Sequence, residues 1–156
     1  MTTTVSRRTF LLGAALGVVA AASVDIRPSL AGRHYTGLVR GTAVGGYDPV
    51  AYFTQSKAIR GAKDITTEWD GVTWRFASAE NRDLFTANPT KYAPQYGGFC
   101  AYAVGYGSTA KGDPKQWKIV DGKLYLNYNR SIKRKWERKQ SSLIKAADKN
   151  WPKLSQ

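Results

Sequence analysis

Two side chains of this chain could act as metal ligands or as a nucleophile, and each is the only one of its type. Cys100 is the single cysteine and His34 the single histidine among 156 residues. Thiolate sulfur and imidazole nitrogen suit copper or zinc, so Cys100 with His34, helped by tyrosines or a carboxylate such as Asp48, is a candidate metal site. The alternative is structural: Cys100 would be a small buried hydrophobe and His34 part of a mobile terminal segment.

Catalysis has less support in the residue pattern. A cysteine nucleophile needs an adjacent base, and His34 lies far upstream of Cys100 with no third group identifiable. The sequence contains no Gly-x-Ser-x-Gly, no phosphate-binding loop and no paired-histidine zinc helix. Asp48-Pro49 and Asp113-Pro114 are typical of turns or helix starts. We therefore expect a non-catalytic protein.

The amino terminus has the features of an export signal. Arg7 and Arg8 precede an uncharged apolar stretch, residues 10–24, and this pattern is the signature of the twin-arginine pathway. The stretch is shorter than the roughly 20 residues of a membrane-spanning helix. Small residues at Ser29 and Ala31 predict cleavage after Ala31. We expect the twin-arginine translocase to deliver residues 32–156 to the periplasm; an uncleaved anchor is the alternative.

The chain that remains is strongly basic. The leader removes three of 24 basic residues and one of 11 acidic residues, which leaves a formal net charge of +11. Such a charge favours anionic partners. Outside the cytoplasm these would be an anionic membrane surface or an acidic envelope protein and not nucleic acid; simple solubility is the alternative. One cysteine allows no intramolecular disulfide, so the fold depends on its hydrophobic core.

Two similar blocks of sequence must position Cys100 and His34, and the first block surrounds Asp70-Gly71. This dipeptide predicts a tight turn between two short strands, residues 68–69 and 72–76. Ser78 is a good cap for a following helix, in which Leu84 and Phe85 would make apolar contacts, and Asn88-Pro89 ends the segment.

The second block repeats this plan around Asp121-Gly122. Strands are predicted over residues 117–120 and 123–126, and a helix over 130–147. The two Asp-Gly turns are 51 positions apart. This offset indicates a duplication, a common solution to one packing problem, or coincidence.

Alternation along the strands and periodicity along the last helix predict which side chains are buried. Tyr125 is expected on the face opposite to the core. The side chains expected in the core are Val72, Trp74, Phe76, Leu124, Leu126, Ile132, Trp136, Leu143 and Ala147. The opposite face of the last helix would be a basic surface, or simply a solvated one, made by Lys133, Arg134, Arg138, Lys139 and Lys145.

Between the blocks, residues 92–107 combine glycines with tyrosines, a phenylalanine and the cysteine. Glycines allow close backbone approach, so this segment either lines a ligand pocket or threads through the core. The ligand-pocket candidates are Tyr47, Asp48, Tyr96, Phe99, Cys100 and Tyr102.

Most of the mature chain resembles the YHS-domain family, in particular its small exported members. Residues 46–53, which read Gly-Tyr-Asp-Pro-Val-Ala-Tyr-Phe, are similar to the opening of that family. Residues 74–78, with Phe85, Asn88-Pro89 and Tyr92, are similar to its strand, helix and closing segment. Residues 96–103 and the 117–127 hairpin are similar to the extension of the exported group. The resemblance implies the fold of that family.

YHS domains that accompany metal transporters carry cysteines after the Asp-Pro-Val and within a Phe-Cys-Ser-x-x-x-Cys stretch, which implies a thiolate site for copper or zinc. Ala51, Ala77 and Asn81 stand at those positions here. The resemblance therefore does not carry the thiolate site over to this chain.

These observations predict an α+β fold, a small antiparallel sheet of two β-hairpins, each followed by a helix that packs on one face. Residues 1–31 would be the signal peptide and 32–156 a single YHS-like domain. The expected function is an exported, non-catalytic binding module of the bacterial cell envelope. The alternative is an accessory protein that handles copper or zinc, or redox chemistry, through Cys100.

Overall fold

The computed structural model describes residues 33–156. The predictions for Arg7, Arg8 and cleavage after Ala31 lie outside the described residues. Within residues 33–156, no helix has both the length and the apolar character that crossing a membrane requires.

The architecture is α+β, as predicted, and both Asp-Gly dipeptides form hairpin turns. The hairpins are two separate two-stranded antiparallel sheets and are not joined into one. The helices and strands are α1 (Ala51–Thr54), β1 (Thr66–Trp69), β2 (Val72–Arg75), α2 (Ala79–Ala87), α3 (Pro89–Tyr92), α4 (Ala101–Gly105), β3 (Asp113–Val120), β4 (Lys123–Asn127), α5 (Arg130–Arg138) and α6 (Gln140–Leu154).

Side-chain caps fix where the helices after the hairpins begin. The Ser78 hydroxyl accepts a hydrogen bond from the Asn81 amide at 3.1 Å, which starts α2. The Asn129 side chain does the same for the Ile132 amide at 2.9 Å and starts α5. The hairpin-then-helix plan read from the sequence is therefore present in both blocks.

Two details of the predicted elements are wrong. The helix expected over 130–147 is broken at Lys139, whose φ of −126° and ψ of 26° leave the helical region, and α6 continues to Leu154. Asp113-Pro114 begins strand β3 and not a helix, and the Asp113 carboxylate accepts a hydrogen bond from the Lys115 amide at 2.9 Å.

The buried side chains form two clusters on either side of β4. The first is centred on Trp74, Phe76 and Phe85 and includes Leu124 and Leu126 of β4. The second contains Tyr96, Ala101, Val104, Tyr125, Trp136, Leu143 and Ala147. Both faces of β4 are therefore buried, a pattern typical of a strand between two packing layers.

This arrangement corrects two expectations about exposure. Tyr125 is only 2% exposed, because its ring packs on Trp136 with 5.4 Å between the ring centroids. Leu84, expected to make apolar contacts, is 39% exposed, while its neighbour Phe85 is fully buried. The core is thus larger on the α5–α6 side than alternation along β4 predicts.

A tight 3-10 turn precedes the short helix in each half of the described residues, Ala43–Gly46 in the first and Gln95–Gly98 in the second. Both turns contain a non-glycine residue at positive φ, Val44 at 52° and Tyr96 at 55°. Each turn is followed by a short helix, a hairpin and a capped helix. The repeat seen in the hairpins therefore extends to the segments before them.

Candidate functional site

Asp48, predicted to line a pocket, is instead a buried structural group. Its side chain is 0% exposed. Oδ1 accepts hydrogen bonds from the amides of Val50 at 2.8 Å and Ala51 at 3.3 Å. Oδ2 accepts from the Ala77 amide at 2.8 Å and from Nδ2 of Asn81 at 2.7 Å. The carboxylate ties the start of α1 to the segment between β2 and α2.

These contacts bear on whether a thiolate metal site could lie around Ala51, Ala77 and Asn81. Ala51 and Ala77 donate hydrogen bonds to Asp48 from their backbone amides, and Asn81 donates one from its side chain. The groups around the Asp48 carboxylate are hydrogen-bond donors that point toward an anion. They include no sulfur atom that could bind a metal cation. A copper or zinc thiolate centre does not fit these residues.

Cys100 is buried, and its backbone forms an isolated parallel β-bridge with Leu126 of β4. It is 1% exposed, and its Sγ atom lies 3.8 Å from Oδ1 of Asn127. Burial raises the pKa of the Cys100 thiol, so the reactive thiolate is disfavoured. Among residues 33–156 there is no group of three or more His, Cys, Asp or Glu side chains placed to hold a metal ion.

We expect native Cys100 to react with a maleimide on the order of a thousand-fold more slowly than the unfolded chain, because the thiol becomes accessible only when the fold opens. The measurement is labelling followed by mass spectrometry, with and without urea. Tyr106 is 58% exposed, so a Cys100→Ser/Tyr106→Cys variant supplies an exposed thiol as the control. Native labelling of Cys100 at the rate of that control would show that the site is open.

His34 is not part of a mobile segment, which corrects the structural alternative considered above. Its side chain is 7% exposed, and Nε2 donates to Oδ2 of Asp70 at 2.7 Å. The imidazole also contacts Trp69 and Trp74 edge-on, with ring centroids 5.8 and 5.4 Å away. The segment is held by the Tyr35 amide, which donates to the Gly97 carbonyl at 2.9 Å.

Burial lowers the pKa of His34, and it outweighs the opposing effect of the hydrogen bond to Asp70. The ring is therefore neutral at pH 7. Because Nε2 carries the proton donated to Asp70, Nδ1 has a free lone pair. Nδ1 is buried and has no hydrogen-bond partner among the described residues.

His34 and Asp70 form one wall of a cleft of about 380 Å³. The cleft lies between the turn of the first hairpin, the second 3-10 turn and the end of α6. On the α6 side, the Tyr96 hydroxyl donates to the Asp148 carboxylate at 2.8 Å. Its residues are Arg33, His34, Trp69, Asp70, Thr90, Ala93, Pro94, Gln95, Tyr96, Gly97, Asp148, Trp151 and Pro152.

Comparisons of the chain with protein-family models, with curated proteins and with solved structures give no significant match.

Of the ligand-pocket candidates, only Tyr96 lines this cleft. Tyr47 packs beneath the Arg60 guanidinium, 4.9 Å from its ring centroid. Phe99 packs on Trp151 and Tyr102 on Tyr106, with centroids 5.9 and 4.9 Å apart. The candidates are thus distributed over several environments and do not form one pocket.

Sequence reasoning missed the opposite wall of the cleft, because it ended the last helix at Ala147. Trp151 lies one turn further along α6, at the spacing that continues the stripe of Leu143 and Ala147. Asp148 follows Ala147 and faces Tyr96. Extending the helical periodicity by one turn would have identified this wall.

The second candidate surface is the basic face of α5 and the start of α6. Arg134, Arg138, Lys139 and Lys145 are exposed. Lys133 is 28% exposed and lies 3.8 Å from the Glu137 carboxylate. Within residues 33–156, no carboxylate lies within 4.0 Å of the charged ends of Arg134, Arg138 or Lys139. A shallow groove lies where the two helices meet, lined in part by Arg138, Lys139 and Lys145.

Proposed function

We propose that this chain is an exported, non-catalytic, YHS-like binding module that docks on the anionic membrane surface of the bacterial cell envelope. The observation that carries the proposal is the basic face, whose cations have few carboxylate partners. Export by the twin-arginine translocase, with cleavage after Ala31, would bring this face to the periplasm. The resemblance to exported YHS domains supports the same location.

Electrostatics of this kind gives binding of useful strength. Each Lys or Arg near an anionic bilayer contributes about 1 kcal/mol. Arg134 and Arg138 are four residues apart on α5 and share one side of the helix, and Lys133 and Lys139 flank that side. Together they would supply about 4 kcal/mol, on the order of a thousand-fold in affinity.

The break at Lys139 assists this arrangement. α5 ends and α6 begins there, and Lys139 and Lys145 are exposed beside the junction. The buried residues Trp136 and Leu143 anchor the two helices to the second core cluster. The cations therefore project from a fixed platform, and binding requires little ordering of the backbone.

Co-sedimentation with vesicles of phosphatidylglycerol and phosphatidylcholine tests the proposal. The wild-type protein should bind, and binding should weaken with salt, since the screening length falls from about 10 Å at 0.1 M to about 3 Å at 1 M. A variant with Lys133, Arg134, Arg138 and Lys139 all changed to Glu should bind at least about a thousand-fold more weakly.

A second charge-reversal variant separates the helix from the net charge. Arg40, Lys57, Lys63 and Lys91 are exposed and belong to the first half of the domain. Changing these four to Glu alters the net charge by the same amount and should affect binding much less. Equal losses of binding in the two variants, or no binding by the wild type, would show that the α5 face is not a membrane-binding surface.

A further inference from the structure

The cleft between the first hairpin turn and the end of α6 holds two carboxylates whose hydrogen-bond donors are both neutral. Asp70 accepts from His34 at 2.7 Å, and Asp148 accepts from Tyr96 at 2.8 Å. Burial keeps both donors uncharged, because it lowers the pKa of His34 and raises the pKa of Tyr96. Within residues 33–156, no Lys or Arg side chain lies within 4.0 Å of either carboxylate. Each hydrogen-bonded pair therefore carries a net negative charge at pH 7.

The charge of this cleft is opposite to the charge of the rest of the chain. Residues 32–156 carry a formal net charge of +11, and such a field repels cations at long range. The cleft is nevertheless lined by Asp70 and Asp148 together with a single basic residue, Arg33, which is exposed. Its titratable lining is thus net negative. A cation that binds this protein must therefore be held by local contacts in the cleft and not by long-range attraction.

Aromatic rings line the same cleft. Trp69 comes from the first hairpin and Trp151 from α6, and both are half-buried, so part of each ring faces the opening. Tyr96 packs against Trp151 with 5.9 Å between the ring centroids. The faces of aromatic rings attract ammonium groups, and the same rings pack well against a hydrocarbon chain. Carboxylates beside indole and phenol rings, in a cleft of about 380 Å³, suit an organic ammonium ion.

We propose that this cleft binds a linear aliphatic diamine, with one ammonium group at Asp70 and the other at Asp148. The two carboxylates come from different walls, Asp70 from the first hairpin turn and Asp148 from α6. A ligand with a positive charge at each end can meet both, and its hydrocarbon chain lies against Trp69 and Trp151. This site is separate from the α5 face proposed for membranes, and either one can fail without the other.

Backbone contacts hold the walls of the cleft in place without a ligand. The Tyr35 amide donates to the Gly97 carbonyl at 2.9 Å, which joins the segment of His34 to the second 3-10 turn. On the other wall, the Asn150 side chain donates to the Val104 carbonyl at 2.9 Å and ties the end of α6 to α4. A preformed site of this kind loses little conformational entropy when a ligand binds.

Titration of the full chain with linear diamines, from diaminopropane to diaminohexane, tests the proposal by calorimetry and tryptophan fluorescence. The diamine of matching length should bind one to one and change the tryptophan emission, because Trp69 and Trp151 line the cleft. The monoamine and the diol of that length are the matched probes. Loss of one ammonium–carboxylate contact should weaken binding about ten-fold or more, and the diol should not bind. Equal binding of diamine and monoamine, binding of the diol, or no binding of any diamine would each overturn the proposal.

Three variants locate the site. Asp148→Asn keeps an acceptor for the Tyr96 hydroxyl, so the fold is retained, and it should weaken diamine binding about ten-fold or more. Asp83→Asn removes an exposed carboxylate of α2, outside the cleft, and should bind as the wild type does. Arg33→Gln removes a positive charge from the cleft lining and should tighten binding. Unchanged affinity in Asp148→Asn, an equal loss in Asp83→Asn, or weaker binding in Arg33→Gln would each contradict the proposal.

Discussion

Replacing Asp48 with asparagine is expected to lower the free energy of unfolding by about 3 kcal/mol. The carboxylate is fully buried and accepts four hydrogen bonds. An asparagine of the same shape can offer one oxygen to one pair of donors. Its NH₂ group would then face the other pair, so buried donors would lose their acceptor.

Urea unfolding followed by tryptophan fluorescence measures this loss. Asp83→Asn is the matched control, because Asp83 lies on α2 with its side chain 70% exposed and paired only with Arg82 among described residues. Its effect should stay within about 0.5 kcal/mol. A loss below about 1 kcal/mol in Asp48→Asn would mean that the carboxylate does not hold α1 to the β2–α2 segment.

The contacts of Asp48 show how far the sequence predicts such a site. The local half was predictable, since Asp48-Pro49 is typical of a helix start and Oδ1 does accept the amides of Val50 and Ala51. The contacts of Oδ2 with Ala77 and Asn81 are long-range and have no local pattern. A local pattern therefore does not distinguish a buried structural carboxylate such as Asp48 from one that lines a ligand pocket.

The same distinction holds for the fold. Hairpins and helix caps depend on neighbouring residues, and Asp-Gly, Ser78 and Asn129 predicted them correctly. The burial of both faces of β4 depends on α5 and α6 packing beside it, which alternation along the strand does not encode. Tyr125 and the cleft wall at Trp151 were missed for that reason.

Left-handed turns are a further part of the fold that the sequence predicts only partly, and Gly97 lies in one of them. Glycine is expected at positive φ, but Val44 and Tyr96 also adopt it, which no propensity predicts. Gly97 has φ of 57° and, in addition, no room for a side chain. A Cβ there would lie 1.5 Å from the Arg33 carbonyl oxygen and 3.0 Å from the Cα atom of His34.

Gly97→Ala is therefore expected to displace the segment around His34 and to cost about 3 kcal/mol or more of stability. The atoms in the way are backbone, which has no alternative rotamer. Displacement would break the hydrogen bond from the Tyr35 amide to Gly97 and the contact of His34 with Asp70. Hydrogen exchange at the Tyr35 amide and urea unfolding measure the two effects.

Gly98→Ala separates this clash from backbone strain. Gly98 has φ of 82°, but the nearest atom to an added Cβ is Cγ of Pro94 at 3.4 Å, so only the left-handed penalty of roughly 1–2 kcal/mol applies.

The pH dependence of stability gives a second readout. Burial lowers the pKa of His34 below its ordinary 6.5, so wild-type stability contributed by this group is present above pH 6.5 and lost as pH falls below it. With His34 released, Gly97→Ala should lose less stability on acidification, while Gly98→Ala should follow the wild type. Equal destabilisation and equal pH profiles in the two variants would show that the position of the Arg33 carbonyl does not require a glycine at position 97.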